Sequence, residues 1–451
     1  MKGWVIPVMM AVGLGYVSKA VEGQTVLDNY IKRGLDSNLA LRQKDFNLQQ
    51  ARLDLQRARS LFFPRADFAS QYTLASGGRS IDIPVGDLLN DVYTTLNQLT
   101  ASGKFPQLAN QSVQFLPNNF HDTRVELALP VYNRQLGYNR EIQEERIRTR
   151  QLEIDAYKRE LVKNIKVAYY QYLQADKAVN IYTNALQLAN ENLRVAEKLM
   201  QNDMATREVT FRAKSQVSQV QTLLIEARNN RQNAAAYFNF LLNEPLTNAV
   251  ETDSSLLEQV QLPESIATET PDRREELAQL KSYQSILHTN LKLNRSYFIP
   301  VVNAFYQIGF QGYGVKFNND QFYQLGGLQL QWPLFRANDN KFKIRQSELE
   351  LEALGARYKE VEQQLNLQVQ TALNNYRSAL QLLQSLRNEV QSSAETYRLA
   401  ERRYREGQAL QIELIDARTQ LTNAQIQYSL AQLAALTRAA ELEYATASYK
   451  F

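Results

Sequence analysis

Two stretches of more than 60 residues, Arg134 to Leu199 and Ala337 to Arg403, contain no proline. As helices they would each be roughly 100 Å long at 1.5 Å per residue, far beyond what a compact domain requires. The second has apolar residues near a heptad spacing: Tyr358, Val361, Leu365, Val369, Ala372, Tyr376, Leu380 and Leu383. Beyond it, Leu414, Ala417, Leu421, Ala424, Tyr428, Ala431 and Ala435 alternate by three and four. A 3.5-residue period is a coiled-coil seam, and alanine lets neighbours approach closely. A second stripe, Ile426, Leu430, Leu433 and Leu436, predicts another neighbour on the other side.

The two runs occupy the same place in an internal repeat. LFFPRADFASQYTLA (61–75) matches YFIPVVNAFYQIGF (297–310), and VELALPVYNRQ (125–135) matches LQLQWPLFRAN (328–338). AEKLMQNDMATREVTFRAKSQV (196–217) matches AERRYREGQALQIELIDARTQL (400–421). Each half reads helix, strand, loop, strand, very long helix, tight turn, returning helix. The expected organisation is a first repeat over 21–243, a connecting segment over 244–271 rich in turn formers and acids, and a second repeat over 272–451. The loop at 76–122 is much longer than its counterpart at 311–324.

Each strand segment alternates. Phe68, Tyr72 and Leu74 oppose Asp67, Gln71 and Thr73; Val125, Leu127 and Leu129 oppose Arg124, Glu126 and Ala128. Val302, Ala304, Tyr306, Ile308 and Phe310 oppose Asn303 and Gln307, and Leu328, Leu330 and Trp332 oppose Gln329 and Gln331. Their length suits a tilted strand crossing a bilayer, roughly 9 to 11 residues. A half-buried sheet in a soluble protein satisfies the same alternation. In lipid, two hairpins cannot leave their edges unpaired, so several chains must pool their strands.

The opening MKGWVIPVMMAVGLGYVSKA has a lysine, an apolar run and small residues, the layout of a secretory signal over 1–20. Without cysteine there are no disulfides, thiolate metal sites or a lipid-modified cysteine. A formal charge of +4 with interspersed signs gives no basic stripe for nucleic acid. His121 and His288 are the only histidines, too few for a histidine pair on a metal and poorly placed for a triad, which argues against an enzyme and a cofactor. Trp332 reads as an interfacial anchor.

Jointly these segments resemble the outer-membrane efflux proteins, the TolC-like family. The most specific piece is YREGQALQIELIDARTQL, an aromatic, a glycine, an acidic helix start and Ile-Asp-Ala; LQWPLF and AAYFNFLLNEP also match family segments. The resemblance implies a homotrimer in which each protomer gives four strands to one 12-stranded β-barrel in outer-membrane lipid, continued by long coiled-coil helices as a periplasmic α-barrel. It implies a passive exit duct of a tripartite efflux or type I secretion system, working with a periplasmic adaptor and an inner-membrane pump. Tyr72, Leu127, Tyr306, Leu330 and Trp332 are then expected on the lipid side.

The resemblance also implies that the turn from Tyr404 to Ala417 narrows the periplasmic mouth, with Glu413 and Asp416 as aperture acids, Tyr404 a gate aromatic and Gly407 the residue permitting the turn. The i, i+3 spacing puts both carboxylates near one helix face. Acids at a helix start also complement its dipole without any pore. The sequence departs from the family pattern in two places: Ala409 stands where some relatives have a gate arginine, and the first repeat has Asp203, Val209 and Arg212 in place of Gly407, Glu413 and Asp416. A latch from Arg212 to Glu413 or Asp416 would be a different lock. The competing reading is an exported coiled-coil scaffold without a pore.

Overall fold

A computed structural model describes residues 26–253 and 274–449. The expected signal and residues 254–271 of the connecting segment lie outside the described residues. The first repeat runs α1 (Val26–Ser37), α2 (Leu39–Ser60), β1 (Arg65–Thr73), β2 (Ser80–Ile83), α3 (Val85–Leu99), β3 (Gln111–Gln114), β4 (Phe120–Tyr132), α4 (Arg134–Gln201) and α5 (Arg207–Leu241). The second runs α6 (Glu275–Arg295), β5 (Val301–Tyr313), β6 (Phe322–Gln331), α7 (Asp339–Arg405) and α8 (Gln411–Thr446). Absence of proline lets α4 and α7 run unbroken. The second begins two residues later than its proline-free run, because Ala337 and Asn338 take φ of 41° and 65°, outside helical space. No described helix is long and apolar enough to cross a membrane.

The chain divides into two compact units, a strand-bearing one (Phe46–Leu152 and Ala278–Lys359) and a helical one holding the described parts of Met1–Asp45, Glu153–Leu277 and Glu360–Phe451. In the strand-bearing unit, β1, β4, β5 and β6 form an antiparallel sheet in that order, leaving β1 and β6 as edges. Directly paired residues point to the same face. Phe68 pairs with Val125, Leu127 with Tyr306, Ile308 with Gln324 and Val302 with Leu330, so the apolar halves of the four alternating segments share one face. The register slips once, between Pro130 and Tyr132; proline has no N–H to give the ladder.

The long loop is more ordered than its composition suggests. Strands β2 and β3 pair, and α3 stands between them. Asparagine side chains replace a ladder here. Asn90 donates to the Leu108 carbonyl at 2.9 Å and accepts from its N–H at 2.7 Å. Asn97 does the same with Phe105, at 2.7 and 3.1 Å. Asn110 accepts the N–H groups of Gly86 and Asp87 at 2.9 and 3.2 Å, satisfying donors that the first turn of α3 leaves orphaned.

The helical unit has an aromatic centre. Tyr30, Tyr169 and Phe238 meet with ring centroids 4.9 to 5.8 Å apart. The Tyr30 hydroxyl accepts the Glu251 N–H at 2.9 Å, and the Tyr169 hydroxyl donates to the Glu251 carbonyl at 3.0 Å. Burial pushes the Tyr169 phenol up to about 12. The start of the connecting segment is thereby tied to this core, with Val250 buried in it. Gly34 lies where α1 closes on α4, and a Cβ there would crowd the buried Ile165 and Leu242 side chains. Along α8, Ala417, Ala424, Ala431 and Ala435 are buried, as the heptad spacing predicts.

Candidate functional site: two helical turns and a two-faced sheet

In the helical unit, α4 and α7 end in equivalent turns. Asp203 and Gly407 take φ of 56° and 72°. In each, the next residue donates back to a carbonyl near the helix end: Met204 to Leu199 and Gln408 to Arg403, both at 2.8 Å. This is the Schellman arrangement, which consumes carbonyls that a helix end cannot pair itself. The returning helices then start after Thr206 and Leu410.

Glu413 is exposed in the first turn of α8, and its Oε1 accepts the Leu410 N–H at 3.3 Å. Leu410 has no side-chain oxygen to return the bond, so this is only half of a capping box. The other oxygen of Glu413 lies 3.7 Å from Arg403 Nη1 at the end of α7. Asp416 is exposed farther along α8. The helix therefore presents two carboxylates, one of them already engaged in capping and in a loose ion pair across the turn. Tyr404 is partly buried with its hydroxyl enclosed and unpartnered, and burial raises its pKa.

Arg212 is exposed and donates to Glu208 through Nε at 3.0 Å and Nη2 at 2.6 Å. Glutamate four residues before arginine is the favoured helical orientation of such a pair. Within the chain Arg212 thus holds neither Glu413 nor Asp416, and a latch to either needs release from Glu208. Sequence reasoning missed the cations that do tie this region together. Arg418 donates through Nη2 to the Ala185 carbonyl of α4 at 2.8 Å, and burial lowers its pKa. Gln411 adds a bond to Asn192 of α4 at 3.3 Å. The signal for Arg418 was a long cation beside Ala417 and three before Leu421, inside an apolar seam.

The second stripe of α8 meets no closed core over its first half. Ile426 and Leu430 line a cavity of about 400 Å³ with Tyr182 of α4 and Leu223 of α5. Leu433, farther along, is fully buried.

In the strand-bearing unit, Tyr72, Leu127, Tyr306 and Leu330 fall on the same sheet face, exposed by 50, 40, 39 and 62 %. Large apolar side chains thus stand exposed together on this face, interrupted by Ser70, Thr123 and Gln324, as at an interaction surface. The opposite face holds Asp67 paired with Glu126, like charges offset by Arg65, 2.5 Å from Asp67, and Arg124, 3.7 Å from Glu126. Tyr323 and Asp122 extend this polar face through a 3.3 Å hydrogen bond. Trp332, just beyond β6, donates its indole N–H to the Phe298 carbonyl at 2.9 Å. Among the described residues no cluster of histidines and acids could hold a metal ion.

Comparisons with known proteins agree with this geometry. The chain is 25% identical over 374 residues to TtgC, a probable efflux pump outer membrane protein of Pseudomonas putida, across 76% of this chain and 75% of that protein. It is equally similar, with the same coverage, to ArpC of Pseudomonas putida, an antibiotic efflux pump outer membrane protein. The fold matches the CmeC outer membrane channel of Campylobacter jejuni with a TM-score of 0.75, 13% identity and coverage of 99% of this chain and 94% of that one. It matches the outer membrane protein VceC of Vibrio cholerae at 0.72, 15% identity and coverage of 93% and 95%. Of these, TtgC and ArpC are named as efflux pump outer membrane proteins and CmeC as an outer membrane channel. Residues 268–448, most of the second repeat, match the sequence profile of the outer membrane efflux proteins.

Proposed function

We propose that this protein is the passive outer-membrane duct of a tripartite efflux or type I secretion system. The observation that carries the reading is the sheet with one exposed apolar face, one charged face and two unpaired edges. In lipid, an unpaired edge costs several kcal/mol per backbone group, so the four strands need partners supplied by other copies. Three copies give twelve strands, closing a barrel with the charged face inward and Tyr72, Leu127, Tyr306 and Leu330 in lipid. Trp332 stands at the end of β6, where an indole suits the membrane boundary.

The two helical turns then form the periplasmic mouth. Three copies of Glu413 and Asp416 ring it with negative charge, Gly407 makes the turn, and Tyr404 narrows the opening. Arg212 leaves Glu208 to pair with an aperture acid when the mouth is shut. A periplasmic adaptor docks on the helices and an inner-membrane pump supplies energy, while the duct itself performs no chemistry. The repeat boundaries at 21–243, 244–271 and 272–451 follow from this arrangement, one connecting segment joining two structurally equivalent halves.

The test is whether unheated protein from the outer-membrane fraction runs as a trimer that dissociates on heating, and whether that trimer conducts ions in a planar bilayer. A soluble, elongated protein recovered from the periplasm without conductance would instead mean a coiled-coil scaffold.

A further inference from the structure

A cavity of about 220 Å³ sits in the strand-bearing unit where β6 gives way to α7. Two of its lining groups are polar, shut away from solvent and without partners: the Asn340 side-chain Nδ2 and the Tyr297 hydroxyl. Asn340 is only 4% exposed. A buried amide donor left unpaired is destabilising, so an acceptor is expected to fill this space. Two cations also line it, Arg336, whose guanidinium carbon lies 5.3 Å from the Tyr297 ring centroid, and Lys341. The neighbouring acid, Asp339, is engaged elsewhere, 2.7 Å from Lys343.

Apart from Asn338, the remaining walls are apolar. Leu334 and Phe335 are 74 and 81% exposed, and Phe298, whose carbonyl holds the Trp332 indole, is 51% exposed. The space is smaller than the roughly 300 to 1,000 Å³ that drug-sized ligands fill. It suits a headgroup whose apolar remainder lies along Leu334 and Phe335. Two enclosed polar groups with two exposed cations beside them call for an acceptor-rich anion, and the apolar walls call for a hydrocarbon tail.

We infer that the cavity lined by Asn340, Tyr297, Arg336 and Lys341 is a binding site for a phospholipid headgroup, its phosphate held by these four side chains and its acyl chains laid against Leu334 and Phe335. The inference rests on the outer-membrane reading, which puts the end of β6 at the periplasmic boundary of the bilayer, where lipid phosphates lie. Bound there, the lipid satisfies the orphaned amide and covers side chains that water solvates poorly.

Native mass spectrometry of the detergent-solubilised protein, titrated with dioleoylphosphatidylglycerol, dioleoylglycerol or inorganic phosphate, tests this. A retained adduct is expected with phosphatidylglycerol alone, weakened at least tenfold in the Arg336→Ala/Lys341→Ala variant. Equal retention of dioleoylglycerol, or a double variant that binds phosphatidylglycerol as well as the parent, overturns the proposal. Inorganic phosphate retained as tightly as the lipid overturns it too, marking a plain anion site. Asn340→Leu removes the donor without touching charge and is expected to weaken the adduct as well; unchanged binding counts against the site. The same spectra report the trimer, so a trimer without lipid removes this inference alone, whereas no trimer removes the outer-membrane reading beneath it.

Discussion

Asp203 and Gly407 close their helices in the same left-handed conformation, φ 56° and 72°, one in each repeat. Only glycine enters that region without a Cβ penalty, which costs other residues roughly 1 to 2 kcal/mol; aspartate tolerates it better than most. Gly407→Ala is therefore expected to lower stability by about 1 kcal/mol and to loosen the turn between α7 and α8, read as faster amide exchange from Glu406 to Glu413. Asp203→Gly should slow exchange in its own turn, or leave it unchanged where the added chain entropy cancels the relief. Faster exchange in that variant would show that the Asp203 carboxylate holds the turn.

At the start of α8, Glu413 accepts the Leu410 N–H and faces Arg403, while Asp416 lies beyond the first helical turn. Glu413→Ala should cost about 0.5 to 1 kcal/mol of helix-start stability, and Asp416→Ala close to nothing. Planar-bilayer selectivity separates this structural role from a functional one. A ring of carboxylates focuses negative potential and enriches cations, so the double alanine variant should lose cation preference and block by multivalent cations from the periplasmic side. Unchanged selectivity would leave these acids as helix caps only.

Arg212→Ala removes a fork to Glu208 that is exposed on both sides, so its effect on stability should stay below about 0.5 kcal/mol. Its effect on conductance is the informative measurement. If Arg212 closes the mouth against an acid of a neighbouring chain, the variant opens more often, with the largest change in the closed-state dwell time. Dwell times equal to those of the parent would assign the whole contact to Glu208.

The faces of the sheet make opposite predictions for one substitution. Leu127→Arg or Tyr306→Arg puts a cation on the apolar face and should cost roughly 2 to 4 kcal/mol near the bilayer midplane, seen as loss of the heat-modifiable trimer. Gln329→Arg lies on the other face, because Gln329 pairs with Asn303. That variant should assemble normally. Equal damage from both faces would contradict a barrel.

Much of this architecture is legible in the sequence because its signals are periodic. Alternation specified which face Tyr72, Leu127, Tyr306 and Leu330 share, since a one-residue slip would invert every side chain. The glycine and its repeat partner marked the turns through backbone conformation alone. What escaped is aperiodic. Asn90, Asn97 and Asn110 organise the long loop by bonding to backbone groups of Leu108, Phe105 and Gly86, and such pairings leave no spacing to read. The helix they brace was less hidden: Val85, Leu88, Leu89, Val92 and Leu96 follow a helical period inside what composition suggested was loop. Arg418 and Arg403 escaped for another reason, because which of many arginines meets a carbonyl or an acid depends on helix packing.

Arg274 carries the last prediction. It is 2% exposed, forks onto Glu276 at 2.5 and 2.9 Å, and donates to the Tyr444 and Ala445 carbonyls at 3.0 and 3.2 Å. Its guanidinium also lies 4.6 Å from the Tyr444 ring centroid. The start of α6 is thus fastened to the end of α8. Burial disfavours the Glu276 carboxylate, but the Arg274 fork outweighs it and holds the pKa below the ordinary value. A depressed carboxyl contributes stability that is present above its unfolded-state pKa and lost as pH falls through the folded one. Stability should therefore decline below about pH 4.5, the declining limb including a contribution from Glu276. Glu276→Gln takes the fork partner from a buried cation and, because the Glu276 side chain is itself about one-third exposed, should cost roughly 1 to 2 kcal/mol at neutral pH, while flattening that limb. Arg274→Met, which removes the buried charge itself, should cost less. Thermal unfolding of the three proteins between pH 3.5 and 7.5, a window set by the ordinary carboxyl range of about 4 to 4.5, measures both effects. An acid limb as steep in Glu276→Gln as in the parent would place the titrating group elsewhere.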